Sequence, residues 1–295
     1  MRRCGGCWIS IFVRLTPLNL AIASLLFGAF SGLSPHLHAF EKPNQLCEIV
    51  AEYGSDNARK RFSDLAFSYE ACRALDASGE KDEICQSEQL HRRFAPFKIY
   101  PVFEADTASN LQSTLSHVVD TADYLNRFTN LEASVSETDF RSSARLRDDV
   151  DNAVLLFLFS KTSSDTLFRK SQEPNFFKRI SQQDNPKTCA GTVRTYSDGS
   201  IGYTELYINT DMTKHDLRSC ILEEMYGVMG LFNDPAGAPS LMTDDLYKED
   251  RKPNELSVLD EFNLHFLYSS AVNTQTRKPE ALDAFDKSLR EICIP

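Results

Sequence analysis

Apolar positions recur along this chain with two periods, and the changes from one to the other mark its elements. Phe62, Leu65, Tyr69 and Cys72 recur every three or four residues, as one face of a helix does. With the stretch before them they predict two helices over Gln45 to Leu75, broken at Gly54-Ser55. Asp76 to Glu88 is polar, contains Gly79 and reads as a boundary. Phe97 to Glu104 then reads as a strand, and Pro101 inside it points to an edge position because proline has no N–H for the ladder. Leu111, Leu115, Val118, Ala122 and Leu125 mark an amphipathic helix that leaves His117 on its polar, solvated face. Ala153 to Phe159 is apolar without interruption, the pattern of a strand buried on both faces.

The pattern continues with a weaker helix over Asp165 to Gln182. Thr192 to Tyr196 and Ile201 to Ile208 flank Ser197-Asp198-Gly199-Ser200, and the Asp-Gly pair predicts a hairpin. A helix follows at once. Thr213 is its N-cap, Asp216 completes a capping-box-like start, and Gly230 supplies the left-handed residue at its end. The Pro/Gly-rich stretch Asn233 to Ser240 comes next, then helices over about Leu256 to Ala271 and Pro279 to Ile292. Strand, helix, strand, helix, hairpin, helix is an α+β order.

Composition narrows the setting. Arg2, Arg3 and Arg14 precede an apolar run from Leu20 to Leu33, and Leu37-His38-Ala39 ends on a small residue. Residues 1–39 therefore read as a signal peptide, with an uncleaved N-terminal anchor as the alternative. The run is short against the about 20 residues of a bilayer span, and no later stretch is long and apolar enough to be one. Without the three arginines, 29 basic side chains face 42 acidic ones, a net charge near −13. With no Lys/Arg-rich cluster, nucleic acid is excluded as a partner. Beyond Ala39 stand Cys47, Cys72, Cys85, Cys189, Cys220 and Cys293, none in a C-x-x-C pair. An even count in an exported chain suggests disulfides, and free buried thiols are the alternative. The expected pairs are Cys189–Cys220, which flank the hairpin and the helix, Cys47–Cys72 between neighbouring helices, and Cys85–Cys293.

The helix after the hairpin carries the candidate chemistry. Glu223-Glu224-Met225-Tyr226-Gly227-Val228-Met229-Gly230-Leu231-Phe232-Asn233-Asp234 follows the zinc-helix pattern H-E-x-x-H-x-x-G-x-x-H/D of metallopeptidases, but lacks its ligands. Glu223 stands at the first ligand position, Gly227 at the second and Asn233 at the third, while Glu224 keeps the general-base position. At 100° per residue Glu224 falls inside the apolar arc, with Glu223 and Gly227 at its edge. Such a carboxylate is either an inherited catalytic group facing a cleft or a structural one tied to a donor. His215 lies eight residues before Glu223, about 12 Å away along the helix, so the two cannot share one ion. His265 would reach the cleft only through tertiary folding. The oxygens of Glu223, Asn233 and Asp234 would suit a hard cation such as calcium better than zinc. No metal or other cofactor is expected. A G-x-S-x-G elbow, a P-loop and a G-x-G-x-x-G loop are all absent.

Several short elements in this order resemble an uncharacterised bacterial family, a domain of unknown function found in exported proteins and related to the zincin metallopeptidases. They are Cys220-Ile221-Leu222-Glu223-Glu224, Gly230-Leu231-Phe232-Asn233-Asp234, Asp244-Asp245, Leu259-Asp260-Glu261, Leu267-Tyr268 and Pro279-Glu280-Ala281. The likeness spans about Phe94 to Ile292 and departs from the family at Gly227, where a polar residue is more common. The resemblance implies a zincin-like fold: a mixed sheet with an edge hairpin packed on an active-site-type helix, over residues 93–295, with a helical extension over 40–92. The expected function is a non-catalytic binding or structural role in the cell envelope, periplasmic or secreted, with a peptide or envelope protein as partner. The alternative is a metal-dependent hydrolase using Glu224 as base with an atypical ligand set.

Overall fold

The computed structural model describes residues 40–67, 88–103, 108–136, 152–160, 171, 189–232 and 255–293. Residues 40–295 form one compact unit. The expected leader, the helix over 165–182 and the residues Tyr69, Cys72, Cys85, Asn233, Asp234, Asp244 and Asp245 lie outside the described residues.

Helices α1 (Pro43–Tyr53) and α2 (Ser55–Phe67) open the unit. The break falls at Gly54, whose φ of +93° suits a residue without a Cβ. Strand β1 (Phe97–Val102), helix α3 (Ala108–Thr129) and strand β2 (Ala133–Val135) follow, then β3 (Ala153–Phe159), β4 (Cys189–Thr195) and β5 (Ile201–Asn209). Helices α4 (Lys214–Val228), α5 (Val258–Leu267) and α6 (Lys278–Cys293) complete the described fold. It is α+β with a mixed five-stranded sheet in the order β2-β1-β3-β5-β4. Neighbours from β2 to β5 are parallel, and only β4 runs antiparallel, paired with β5.

All seven residues of β3 are buried, as their unbroken apolar run predicts. Val154, Leu156 and Leu158 join Ile99, Leu206 and Ile208 in the main core with the helices, while Leu155, Phe157, Phe159 and Tyr207 form a second cluster. Successive residues alternate between these clusters, so they lie on opposite faces of the sheet. The position of β1 corrects the sequence reading, because it is interior and not an edge strand. The three-residue β2 pairs only with Phe97, Lys98 and Ile99. Pro101 stands beyond that register, so its missing N–H takes no bond from β2.

The two N-terminal helices share the main core. Leu46, Ala58, Phe62 and Leu65 belong to it together with α5 and α6. Phe62 stacks on Phe285 at 4.8 Å between ring centroids and meets Phe266 edge-on at 5.0 Å. A disulfide joins Cys47 on α1 to Cys293 at the end of α6. The expected pairs Cys47–Cys72 and Cys85–Cys293 are thereby both corrected. These partners are 246 residues apart, and only the packing of the first helix on the last brings them together.

Candidate functional site

Helix α4 starts as its sequence predicts: Thr213 Oγ1 accepts from the Asp216 N–H at 3.2 Å. It packs against α3, β4 and β5, and most of its last three turns is buried. One disulfide and one close approach mark its course under the edge strand. Cys220 is bonded to Cys189, and the Glu224 carboxylate comes within 2.9 Å of where a Cβ on Gly191 would stand. Two strand residues and four helical ones each advance about 6 Å, so α4 runs alongside β4 in the same direction. Cys189 and Gly191 are thus on the helix-facing side of the strand. Glycine within a strand often marks such a close approach, and this was the available signal for Gly191.

Glu224 and Gly227 are half-buried, whereas Glu223 between core residues is only 6% exposed. The helical-wheel reading had the order reversed, with Glu224 inside the apolar arc and Glu223 at its edge. Packing on several sides leaves this helix without a single polar face, so the wheel could not rank the two. At Gly227 an added Cβ would meet no atom of the described residues within 4 Å beyond its own helix backbone and chain neighbours.

The C-terminal end of α4 is held by Gly230, by Tyr268 and by Arg93, which the sequence did not single out. Gly230 has φ +112°, and a Cβ there would meet the His91 carbonyl oxygen at 2.1 Å, so glycine is required. Tyr268 donates to the Met229 carbonyl at 2.9 Å and accepts from the Arg93 N–H at 3.0 Å. The Arg93 side chain, 1% exposed, donates to the carbonyls of Val228 and Gly202, to Asn152 Oδ1 and to Thr204 Oγ1. Burial pushes its pKa down to about 10. Arg92 donates to the carbonyls of Leu267, the last residue of α5, and of Ser269 just past it. Consecutive arginines therefore cap the negative ends of two helices. Burial pushes the Tyr268 phenol up to about 12, against the downward pull of Arg93 and Arg92.

The acidic pair on α5 is structural. Asp260 forms a capping box with Ser257 and an ion pair at 3.2 Å with Arg61, both side chains buried. Its main-chain carbonyl accepts from Tyr226 of α4 at 3.1 Å. Glu261 accepts from Lys42 at 2.7 Å and from Tyr124 at 2.6 Å. A further carboxylate, Glu205, is fully buried on β5 and accepts from Ser171 at 2.6 Å and from Tyr203 and Tyr207.

Among the described residues the histidines form no ligating group with Glu223 and Glu224. His265 is half-buried, its ring 5.6 Å from that of Phe40, and burial lowers its pKa. His117 is half-buried instead of solvated. Burial, Lys214 and Arg218 lower its pKa, in that order of weight. His215 is exposed in the first turn of α4. Among the described residues no three His, Cys, Asp or Glu side chains stand close enough to share a metal ion. The structure places the predicted binding residue Glu223 and the predicted catalytic residue Glu224 on this helix, while the predicted binding residues Asn233 and Asp234 lie outside the described residues.

A family model described as Protein of unknown function (DUF2927) matches residues 55–287. The chain belongs to that family. The DUF2927 match starts at the first residue of α2, which corrects the expectation that the likeness begins near Phe94. It takes in β4, all of α4 and the Asp260-Glu261 pair, so the DUF2927 domain includes both acidic helices. No curated protein and no solved structure matches this DUF2927 chain. No helix among its described residues is long and apolar enough to cross a membrane.

Proposed function

We propose that this DUF2927 protein is an exported, non-catalytic binding domain on a zincin-like frame, which captures an extended polypeptide segment along β4 and serves in the cell envelope. The observation that carries the reading is the Glu224 carboxylate under Gly191, at the outer edge of an antiparallel strand that pairs only with β5 among the described residues. Such an edge offers main-chain donors and acceptors to an added strand. The mixed sheet with its antiparallel edge beside the motif helix supports the zincin-like reading. The two disulfides support an oxidising, extracytoplasmic setting. Glutamate and glycine at the first two ligand positions weigh against hydrolysis.

Hydrogen exchange read by mass spectrometry tests this on the chain from Phe40 onward. Adding a pool of unstructured twelve-residue peptides slows exchange across residues 189–195, and the same spectra show the peptides intact. Unchanged exchange in that strand, or chelator-sensitive cleavage of the peptides, would overturn the proposal.

A further inference from the structure

The two disulfides of the described residues differ in when they can form. Cys189 and Cys220 are 31 residues apart and sit on β4 and α4, which pack together. Cys47 and Cys293 are 246 residues apart, and Cys293 is the last cysteine of the chain. Helices α1 and α2 find core partners in α5 and α6, where Phe62 lies against Phe266 and Phe285. The packing that sets Cys47 beside Cys293, 5.2 Å apart between Cα atoms, is therefore complete only once α6 has folded onto α1. Until then the nearest cysteines along the chain are Cys72 and Cys85, about 25 and 38 residues from Cys47. Both lie outside the described residues, and only their distance along the chain matters. Closure of an unfolded chain falls as about the −3/2 power of loop length, so Cys72 meets Cys47 roughly thirtyfold more often than Cys293 does.

Under the exported reading, on which this inference rests, the chain enters an oxidising compartment with its N-terminus first. Cys47 and Cys72 then meet the oxidant before Cys293 arrives, and any bond that Cys47 makes in that interval is non-native. We propose that this chain is a substrate of a thiol–disulfide isomerase, which exchanges an early Cys47–Cys72 bond for Cys47–Cys293. The early bond forms against a disulfide donor: two protein thiols are oxidised and the donor disulfide is reduced to two thiols. In the exchange, a thiolate of the isomerase attacks the Cys47 sulfur and the bond to Cys72 breaks. The electron pair leaves on the Cys72 sulfur, which takes up a proton. The Cys293 thiolate then attacks the Cys47 sulfur and releases the isomerase thiolate, so nothing is oxidised or reduced overall. The stack of Phe62 on Phe285 belongs to the core that α2 shares with α6. Once that core has formed it keeps Cys293 beside Cys47, which draws the exchange towards the native pair.

Expression of the full-length chain in bacterial cells with and without an extracytoplasmic disulfide isomerase tests the inference. Thiols are alkylated before lysis, and disulfide-linked peptides are mapped by mass spectrometry. With the isomerase, Cys47–Cys293 predominates. Without it, the ratio of Cys47–Cys72 to Cys47–Cys293 rises by about tenfold or more, within the bias that loop length sets. A variant carrying both Cys72→Ser and Cys85→Ser, which lacks the nearby competitors, forms Cys47–Cys293 to the same extent in both strains. Equal native pairing of the wild-type chain in both strains, with its cysteines oxidised, overturns the inference alone. A dependence on the isomerase that is as large in the double variant overturns it as well. If the cysteines are recovered as free thiols with the chain in the cytoplasm, the exported reading falls and takes this inference with it.

Discussion

Helices α4 and α5 each carry two adjacent carboxylates, Glu223-Glu224 and Asp260-Glu261, and the fold uses the two pairs differently. On α5 each acid has a basic partner from the N-terminal part of the chain, Arg61 for Asp260 and Lys42 for Glu261. These contacts tie α5 to α2 and to the segment leading into α1. On α4 the first acid is buried, while the second stands half-buried beside a glycine of the edge strand. An acidic pair is therefore uninformative until its surroundings are known. The pair on α5 joins elements, and the pair on α4, beside the edge strand, is the one at which we propose that a ligand is met.

Breaking the structural pair has the largest expected effect. Asp260→Ala leaves the Arg61 guanidinium buried without its carboxylate and removes the capping box, for a loss of about 3–5 kcal/mol in unfolding free energy by urea titration. Glu261→Gln, which keeps an acceptor for Tyr124 but gives up the charge facing half-exposed Lys42, costs about 1–2 kcal/mol in the same titration. A loss below about 0.5 kcal/mol for Asp260→Ala would remove the distinction between the pairs.

Acidification probes the α5 side by another route. Burial holds His265 and His91 below the ordinary histidine value of 6.5. Their contribution to stability is complete above pH 6.5. As pH falls through 6.5 the unfolded chain takes up protons before the folded one, so stability drops until the lower folded values are passed. Urea midpoints should therefore fall between pH 7 and pH 5, and His265→Gln should flatten part of that fall.

The smallest stability change is expected at the proposed site. Glu224→Gln alters unfolding free energy by less than about 0.5 kcal/mol, because its half-buried carboxylate is replaced by a polar group of the same shape. A cost near that of Asp260→Ala would make Glu224 a structural residue and break the comparison from the other side.

Local signals were legible in the sequence wherever one residue sets the backbone. Gly54, the Asp198-Gly199 turn, the Thr213 cap and Gly230 all stand where their chemistry requires. The buried strand β3 was equally plain from its apolar run. What stayed hidden depends on residues far apart in the chain. The partner of Cys47 follows from the packing of α1 on α6, and the interior place of β1 from its pairing with the three-residue β2. The relative burial of Glu223 and Glu224 follows from neighbours on several sides of α4. Arg92 and Arg93 fit no periodic pattern, and their caps on two helix ends emerge only from the fold.

The proposed function gives α4 a binding role on a hydrolase-like frame without a catalytic ion. Metal content of the purified chain from Phe40 onward, measured together with cleavage of the peptide pool, tests this most directly. The expected result is well below one equivalent of any transition metal, with the peptides intact. One equivalent of zinc per chain, with peptide cleavage that disappears in Glu224→Ala, would contradict it.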